Sequence, residues 1–359
     1  MNIETIEWEN DITHILNIRY PIVQAPMFAV STPQMVAAAT DANALGSLPL
    51  GDLPADKCVE LIRATKQIVK KTFAANIFLN KLPEPSDGLK VKFNNAKKFI
   101  EELAKQHGLQ VVLPDFDQIK VTDYHEQVDA LIAEKCRIVS FTFGIPDEES
   151  IRRFKDSGTI LIGTSTSVEE ASILEQLGID IICVQGIEAG GHRGTFTDVE
   201  LPKIGGFSLL SQVYDNVKTP LIYAGGIYDA KTLLAARMLG AQGFQVGSLL
   251  VASAESALMD FEKERLRIAK ESDISLTKSF SGKYARGIQN VFTKALDNTE
   301  YILPYPYQNK LTTELRKAAK LKKNAEFVSI WAGQSLNSFS EKSTKDILLN
   351  LIKEVENYI

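Results

Sequence analysis

A short, largely apolar run that leads through a turn into an amphipathic helical stretch recurs eight times along this 359-residue chain, and this limits the available folds more than any other feature. The runs are Pro21–Met27, Ala44–Leu50, Phe73–Leu79, Arg137–Phe143, Thr159–Ser165, Asp180–Gly186, Pro220–Gly225 and Gly243–Leu249. Runs that do not alternate apolar with polar suit strands covered on both faces, as in a parallel sheet enclosed by helices. The intervals carry helix punctuation. Thr32 can cap Pro33–Ala39, with Pro33 at the first helical position. Ser167, with Glu170 three residues on and Gly178 closing, frames a second helix, and Asp229–Gly240 repeats the design.

Eight β/α units in order predict an α/β fold, a (β/α)8 TIM barrel; a doubly wound open sheet is the alternative. Two intervals exceed a simple crossover. Asn80–Lys135 holds a Pro/Asp/Gly-rich loop and a Lys/Glu-rich helix expected near Asn94–Gly108, and reads as decoration at the top of the barrel. The polar stretch from Ser253 includes a helical pattern at Ala254–Lys270, ends in Tyr301–Tyr307, and reads as an inserted lid. Helices expected at Leu311–Lys323 and Lys345–Tyr358 would pack back on the barrel. The expected organisation is therefore a barrel with C-terminal helices over 1–252 and 311–359, and an inserted lid or substrate domain over 253–310. The basic run Arg316–Lys323 reads as a solvated helix face.

With 45% hydrophobic and 24% charged residues the chain can bury a large core. Its net charge of -5 provides no global field to attract nucleic acid or an anionic membrane. The N-terminal segment lacks the basic and apolar regions of a signal peptide, and no apolar run is long enough to span a bilayer, so a cytoplasmic location is expected. Cys58, Cys136 and Cys183 show no CxxC pairing and read as structural.

In such a barrel, chemistry belongs at the C-terminal ends of the strands, where the loops gather. Gly225-Gly226 ends the seventh run and Gly247-Ser248 the eighth, the positions where barrels often bind a phosphate through exposed backbone N–H groups. Asn76 interrupts an apolar run and Gln185 closes the sixth; a buried amide needs partners, and the pair suits the edge of a flavin ring. Of the four histidines, His14, His107 and His125 lie in polar surroundings and read as surface residues. His192 follows a Gly pair after the sixth run and can exchange protons near neutral pH. The sequence shows no metal-ligand spacing, GxSxG elbow or Walker loop.

Ordered motifs along nearly the whole chain resemble those of nitronate monooxygenases, formerly 2-nitropropane dioxygenases. They are Tyr20–Met27, the Asn76 strand, Val139–Pro146, Gly163–Ser167, Glu188–Gly194, Ala224–Ile227, Phe280–Ile288, Tyr305–Asn309 and Trp331–Gln334. The resemblance implies oxidation of alkyl nitronates such as propionate 3-nitronate by FMN and molecular oxygen, giving a carbonyl compound and nitrite. It puts FMN against Ala25, Pro26, Met27, Asn76, Gln185, Gly190, Gly191, Gly225, Gly226, Gln245, Val246, Gly247 and Ser248, and makes His192 the catalytic residue. The best-known branch has a second histidine where this chain has Thr142, so the substrate's charged group is assigned to Lys310, Arg193 or the tyrosines near Tyr305. Implied partners are the nitronate and oxygen, with neither nucleic acid nor membrane; a homodimer stays open. The Glu188–His192 and Ala224–Ile227 segments also resemble the FMN-dependent enoyl-acyl-carrier-protein reductases, which use a nicotinamide cofactor, and a flavin-binding sensor without turnover is a third reading.

Overall fold

The structure, a computed structural model, describes residues 6–197, 201–336 and 339–358; the first five residues of the N-terminal segment and Ile359 lie outside the described residues. The strands are β1 Ile22–Gln24, β2 Ser47–Gly51, β3 Ala74–Phe78, β4 Ile138–Thr142, β5 Ile160–Ser165, β6 Ile181–Gln185, β7 Gly191–His192, β8 Leu221–Ala224, β9 Gly243–Val246, β10 Ile274–Thr277 and β11 Ala285–Ile288. The helices are α1 Asp11–Leu16, α2 Pro33–Asp41, α3 Ala55–Ile68, α4 Asp87–Gln106, α5 Tyr124–Ala133, α6 Glu148–Asp156 and α7 Val168–Gln176, then α8 Gly206–Asn216, α9 Ala230–Met238, α10 Asp260–Arg267, α11 Val291–Leu296, α12 Tyr307–Leu321 and α13 Thr344–Tyr358.

Eight parallel strands pair in the order β1-β9-β8-β6-β5-β4-β3-β2, and a parallel bridge from Val23 to Leu45 brings the first strand to the foot of the second. The sheet is thus a nearly closed barrel, not an open one, and each of its strands falls within an expected run except β2, which extends one residue past Leu50 to Gly51. Thr32, Ser167 and Asp229 each cap as expected, their side chains accepting from the backbone N–H of Met35, Glu170 and Thr232. Glu170 departs from the reciprocal pattern: its carboxylate accepts from the hydroxyls of Thr166 and Thr195 and from the Phe196 N–H, tying the helix start to the loop after His192.

Inside the barrel, Ala74, Ile138, Ile162, Ile181 and Ile222 fill the lower layer, with Ile12 and Leu16 of α1 packed against them as a plug. Outward neighbours such as Val139, Phe141, Ile182 and Val184 pack under the helices. Both faces are buried, which is why the runs read as continuously apolar.

A second apolar cluster joins segments far apart in sequence. Phe93 and Ile100 of α4, Leu266 of α10, Phe292 of α11 and Leu311 and Leu315 of α12 share it. Phe99 stacks on Tyr301 at 4.4 Å and Phe116 on Tyr307 at 5.3 Å. A fully buried Phe or Leu contributes roughly 1.5–3 kcal/mol, so the two long intervals hold one another over the barrel mouth.

Several expected boundaries shift. The helix expected at Asn94–Gly108 begins at Asp87, because Ser86 accepts from the Leu89 N–H and caps it earlier. The helix expected from Ala254 begins only at Asp260, since the Ala254 N–H goes to Lys342 O and the Ala257 N–H to Val30 O. Among the described residues, no helix is long and apolar enough to cross a membrane, and no group of three His, Cys, Asp or Glu could hold a metal.

Candidate active site

The twofold period of the strands builds the site. Residues i and i+2 share a face, so the inward positions above Ala74, Ile138, Ile162 and Cys183 are Asn76, Ser140, Thr164 and Gln185. These polar residues line a cavity of about 580 Å³ at the strand ends. The residues expected to hold FMN, except Val246, line it as well, as do His192, Thr142, Tyr305 and Lys310. Val246 is fully buried in the outer core, and only its carbonyl serves the site, accepting from the Ala25 N–H at 2.9 Å.

Asn76 is 2% exposed and its Nδ2 donates to Ser140 Oγ at 2.9 Å, while its buried Oδ1 has no hydrogen bond among the described residues. An unpaired buried acceptor costs about 1–3 kcal/mol, which marks it as reserved for an N–H donor in the cavity. Gln185 behaves differently. Its Nε2 donates to His192 O at 3.0 Å and its Oε1 accepts from the Gly194 N–H at 2.9 Å, so this cavity-lining side chain holds the histidine loop.

That loop is fixed a second way, because β7 pairs antiparallel with β11, His192 opposite Ala285. His192 Nε2 lies 2.8 Å from Ser281 Oγ, which also donates to Lys283 O at 3.1 Å. When Ser281 gives its proton to that carbonyl, Nε2 is the donor and Nδ1 the basic nitrogen. Phe143 and Trp331 each lie 5.5 Å from the imidazole, centroid to centroid, and Phe78 lies 6.3 Å away. The accessible part of the ring faces the cavity, not bulk water. Burial, with smaller contributions from the charges of Lys283 and Arg316, pushes the imidazole down to about 3, so it is neutral at physiological pH.

The far wall carries charge. Lys310 Nζ sits 3.0 Å from Asp52 Oδ2, and Tyr305 is buried beside them, its phenol held well above the usual range by burial and then by Asp52. Thr142 Oγ1 is 3.4 Å from Asn76 Nδ2. Arg193 does not join this wall: it is 1% exposed beneath the loop, its guanidinium donating to the carbonyls of Gly186 and Gln185. Nor is Arg316–Lys323 a wholly solvated face, because Arg316, Lys317 and Lys320 line the cavity. His14, His107 and His125 are exposed. The three cysteines are buried and free, burial pushing the Cys183 thiol up to about 12.

At the opposite end, Gly225 (φ +133°) and Gly226 (φ +68°) adopt backbone conformations that L side chains rarely reach. The segment after α12 laces these glycine-bearing loops together: the Gly333 N–H donates to Ser248 Oγ at 2.9 Å, the Gln334 N–H to Glu188 O at 3.0 Å, and Ser335 Oγ to Gly226 O at 3.3 Å. Beneath them, the Glu188 carboxylate accepts from Tyr223 and from the Gly206 N–H.

Residues 9–354 match the family model described as nitronate monooxygenase. The chain is 35% identical over 349 residues to a probable nitronate monooxygenase of Staphylococcus saprophyticus, covering 96% of each chain. It belongs to the nitronate monooxygenase family. Among solved structures, a nitroalkane oxidase from Streptomyces ansochromogenes superposes with a TM-score of 0.86 at 32% identity, covering 97% of this chain and 98% of the other. FabK from Thermotoga maritima follows with a TM-score of 0.75 at 26% identity, covering 98% and 97%. Nitronate monooxygenases are oxidoreductases that act on small molecules and are typically flavin-dependent.

Sequence reasoning missed Asp52, Ser281 and the lacing by Gly333–Ser335. Asp52 was within reach: an acid directly after Gly51 at the end of a barrel strand stands where chemistry belongs. Ser281 carried no local signal, since only the fold brings it to a histidine 89 positions away.

Proposed function

We propose that this nitronate monooxygenase family member binds FMN and oxidises alkyl nitronates with molecular oxygen to a carbonyl compound and nitrite; propionate 3-nitronate is the carboxylate-bearing case of that substrate class. Three features fit FMN. The Asn76 Oδ1 acceptor is unpartnered and buried, the Gly225-Gly226 and Gly247-Ser248 loops lack Cβ atoms where an anion would approach amides, and the cavity of about 580 Å³ suits a ligand of this size. Ala25, Pro26, Met27, Asn76, Gly190, Gly191 and Gln245 would hold it alongside those loops, with Gln185 acting through the histidine loop. When bound, FMN supplies the electron transfer between nitronate carbon and oxygen.

The observation that carries the reading is the neutral, desolvated His192, held by Ser281 against an aromatic wall. With Nε2–H given to Ser281, Nδ1 of the neutral imidazole can take the proton of a neutral nitroalkane without first losing one of its own; with Ser281 donating to Nε2 instead, Nδ1–H can donate to a nitronate oxygen. Phe78, Phe143 and Trp331 keep bulk water from the reacting carbon, and Thr142 offers a neutral hydrogen bond where a second histidine is absent. In this reading, residues 253–310 form the lid or substrate domain over a barrel of 1–252 and 311–359.

The test is nitronate-dependent oxygen uptake by the yellow protein and by His192→Asn. The variant is expected to lose about 10²–10⁴-fold in rate, and an undiminished rate removes His192 from the chemistry. Rapid anaerobic bleaching by NADPH alone, with no response to nitronate, would favour the enoyl reductase instead.

A further inference from the structure

Three of the four cations that face the cavity from α12 are paired with an acid. Lys310 Nζ is 3.0 Å from Asp52 Oδ2, Lys317 pairs with Glu314 at 2.7 Å, and Lys320 pairs with the fully buried Glu262 at 3.0 Å. Arg316, the fourth, donates from Nη2 to Asn309 and Thr313, at 2.8 and 3.2 Å, and pairs with no acid among the described residues. Of these acids, Asp52 is the one that lines the cavity. It is 7% exposed, sits at the end of β2, and meets Lys310 and Tyr305 from the opposite side of the mouth. A substrate whose carboxylate tail sought Lys310 would have to displace Asp52 and sit beside a second carboxylate in a poorly solvated site. An uncharged alkyl tail has the rings of Phe28, Phe78 and Tyr305 to pack on and displaces no ion pair.

The geometry points to Asp52 as a specificity-determining residue: by neutralising Lys310 it selects nitronates with uncharged alkyl tails over those bearing a carboxylate. This rests on the nitronate reading of the site and adds the substrate's second end to it. Asp52 acts through Lys310, so removing its charge leaves a cation free to accept the carboxylate, and removing both charges cancels the gain.

The experiment compares wild type, Asp52→Asn and the double variant Asp52→Asn with Lys310→Met, all as flavin-loaded protein. For each, kcat/KM is measured with ethyl nitronate and with propionate 3-nitronate. Wild type should favour the uncharged tail. Asp52→Asn should shift the ratio at least tenfold toward the carboxylate, and the double variant should return it. A second arm needs no turnover: dissociation constants of 1-nitropropane and 3-nitropropionate, read from flavin absorbance, should show the same tenfold shift. A ratio unchanged within twofold in both arms, or a wild-type preference for the carboxylate that Asp52→Asn abolishes, overturns the assignment. If neither nitronate is oxidised while the binding arm shifts as stated, the nitronate reading falls and the role of Asp52 stands.

Discussion

His192 must be neutral to occupy its place, and that requirement is measurable as a loss of stability in acid. Its imidazole ordinarily titrates near 6.5 and is pushed down to about 3 in the folded protein, first by burial and then by the charges of Lys283 and Arg316. Between those values the unfolded chain binds a proton that the native state refuses, so stability present above pH 6.5 is lost as pH falls toward 3. At pH 5 the unfolded histidine is stabilised by a factor of about 10^1.5, which is about 2 kcal/mol, against about 0.2 kcal/mol at pH 7. The ring's accessible surface lies within the cavity, so solvent screening removes little of this. His192→Asn removes the imidazole and does not titrate. Urea unfolding of both proteins at pH 7 and pH 5 should show wild type losing about 2 kcal/mol more than the variant over that interval. Acid-sensitive groups elsewhere are common to both and cancel. Equal losses would mean that His192 titrates normally in the folded protein, and the neutral-imidazole reading would fail.

Two further outcomes follow from other sites. Asn76→Ala removes the unpartnered Oδ1 acceptor, and flavin fluorescence titration should show FMN binding weakened roughly tenfold, in line with about 1–3 kcal/mol for a buried hydrogen bond; unchanged affinity would show that Asn76 meets no flavin donor. His125 bridges Asp123 and Asp147, the N-caps of α5 and α6, at 2.6 Å each, and its imidazole is raised by the Asp147 hydrogen bond first. The bridge therefore stabilises below pH 6.5 and is lost as pH rises through the raised value. His125→Asn should cost under about 1 kcal/mol at pH 6, because the groups are about half exposed, and nothing at pH 9. A cost that is equal at both pH values would refute a charged bridge.

Local chemistry fixed much of this protein in advance. Eight apolar runs, each leading into a helical stretch, point to a β/α barrel, because strand and helix periods are written in neighbouring residues. The same applies to the mouth: glycine at the seventh and eighth strand ends, and an amide and a histidine after others, are recognisable because barrel chemistry gathers at those ends. Even there, local reading did not show that Gln185 holds the histidine loop, because its hydrogen-bonding partners are seven and nine residues away in a loop whose path no propensity specifies. Arg193, adjacent to the histidine in sequence, turns beneath the loop to two carbonyls, because alternate residues of an extended segment face opposite ways.

What only tertiary structure decided is the second layer and the charge state of the mouth. The interval containing α4 and the one containing α10, α11 and the start of α12 are about 150 residues apart, and their apolar faces meet in one cluster, together with Phe327, Ile330 and Phe339. Such pairing depends on surface complementarity in three dimensions, which no local pattern encodes. Lys310 read alone is a cation awaiting an anion; 258 positions earlier in the chain, Asp52 supplies one. Coulomb attraction depends on distance in space and not on separation along the chain, so the sequence names the charges and the fold decides which of them remain available to substrate.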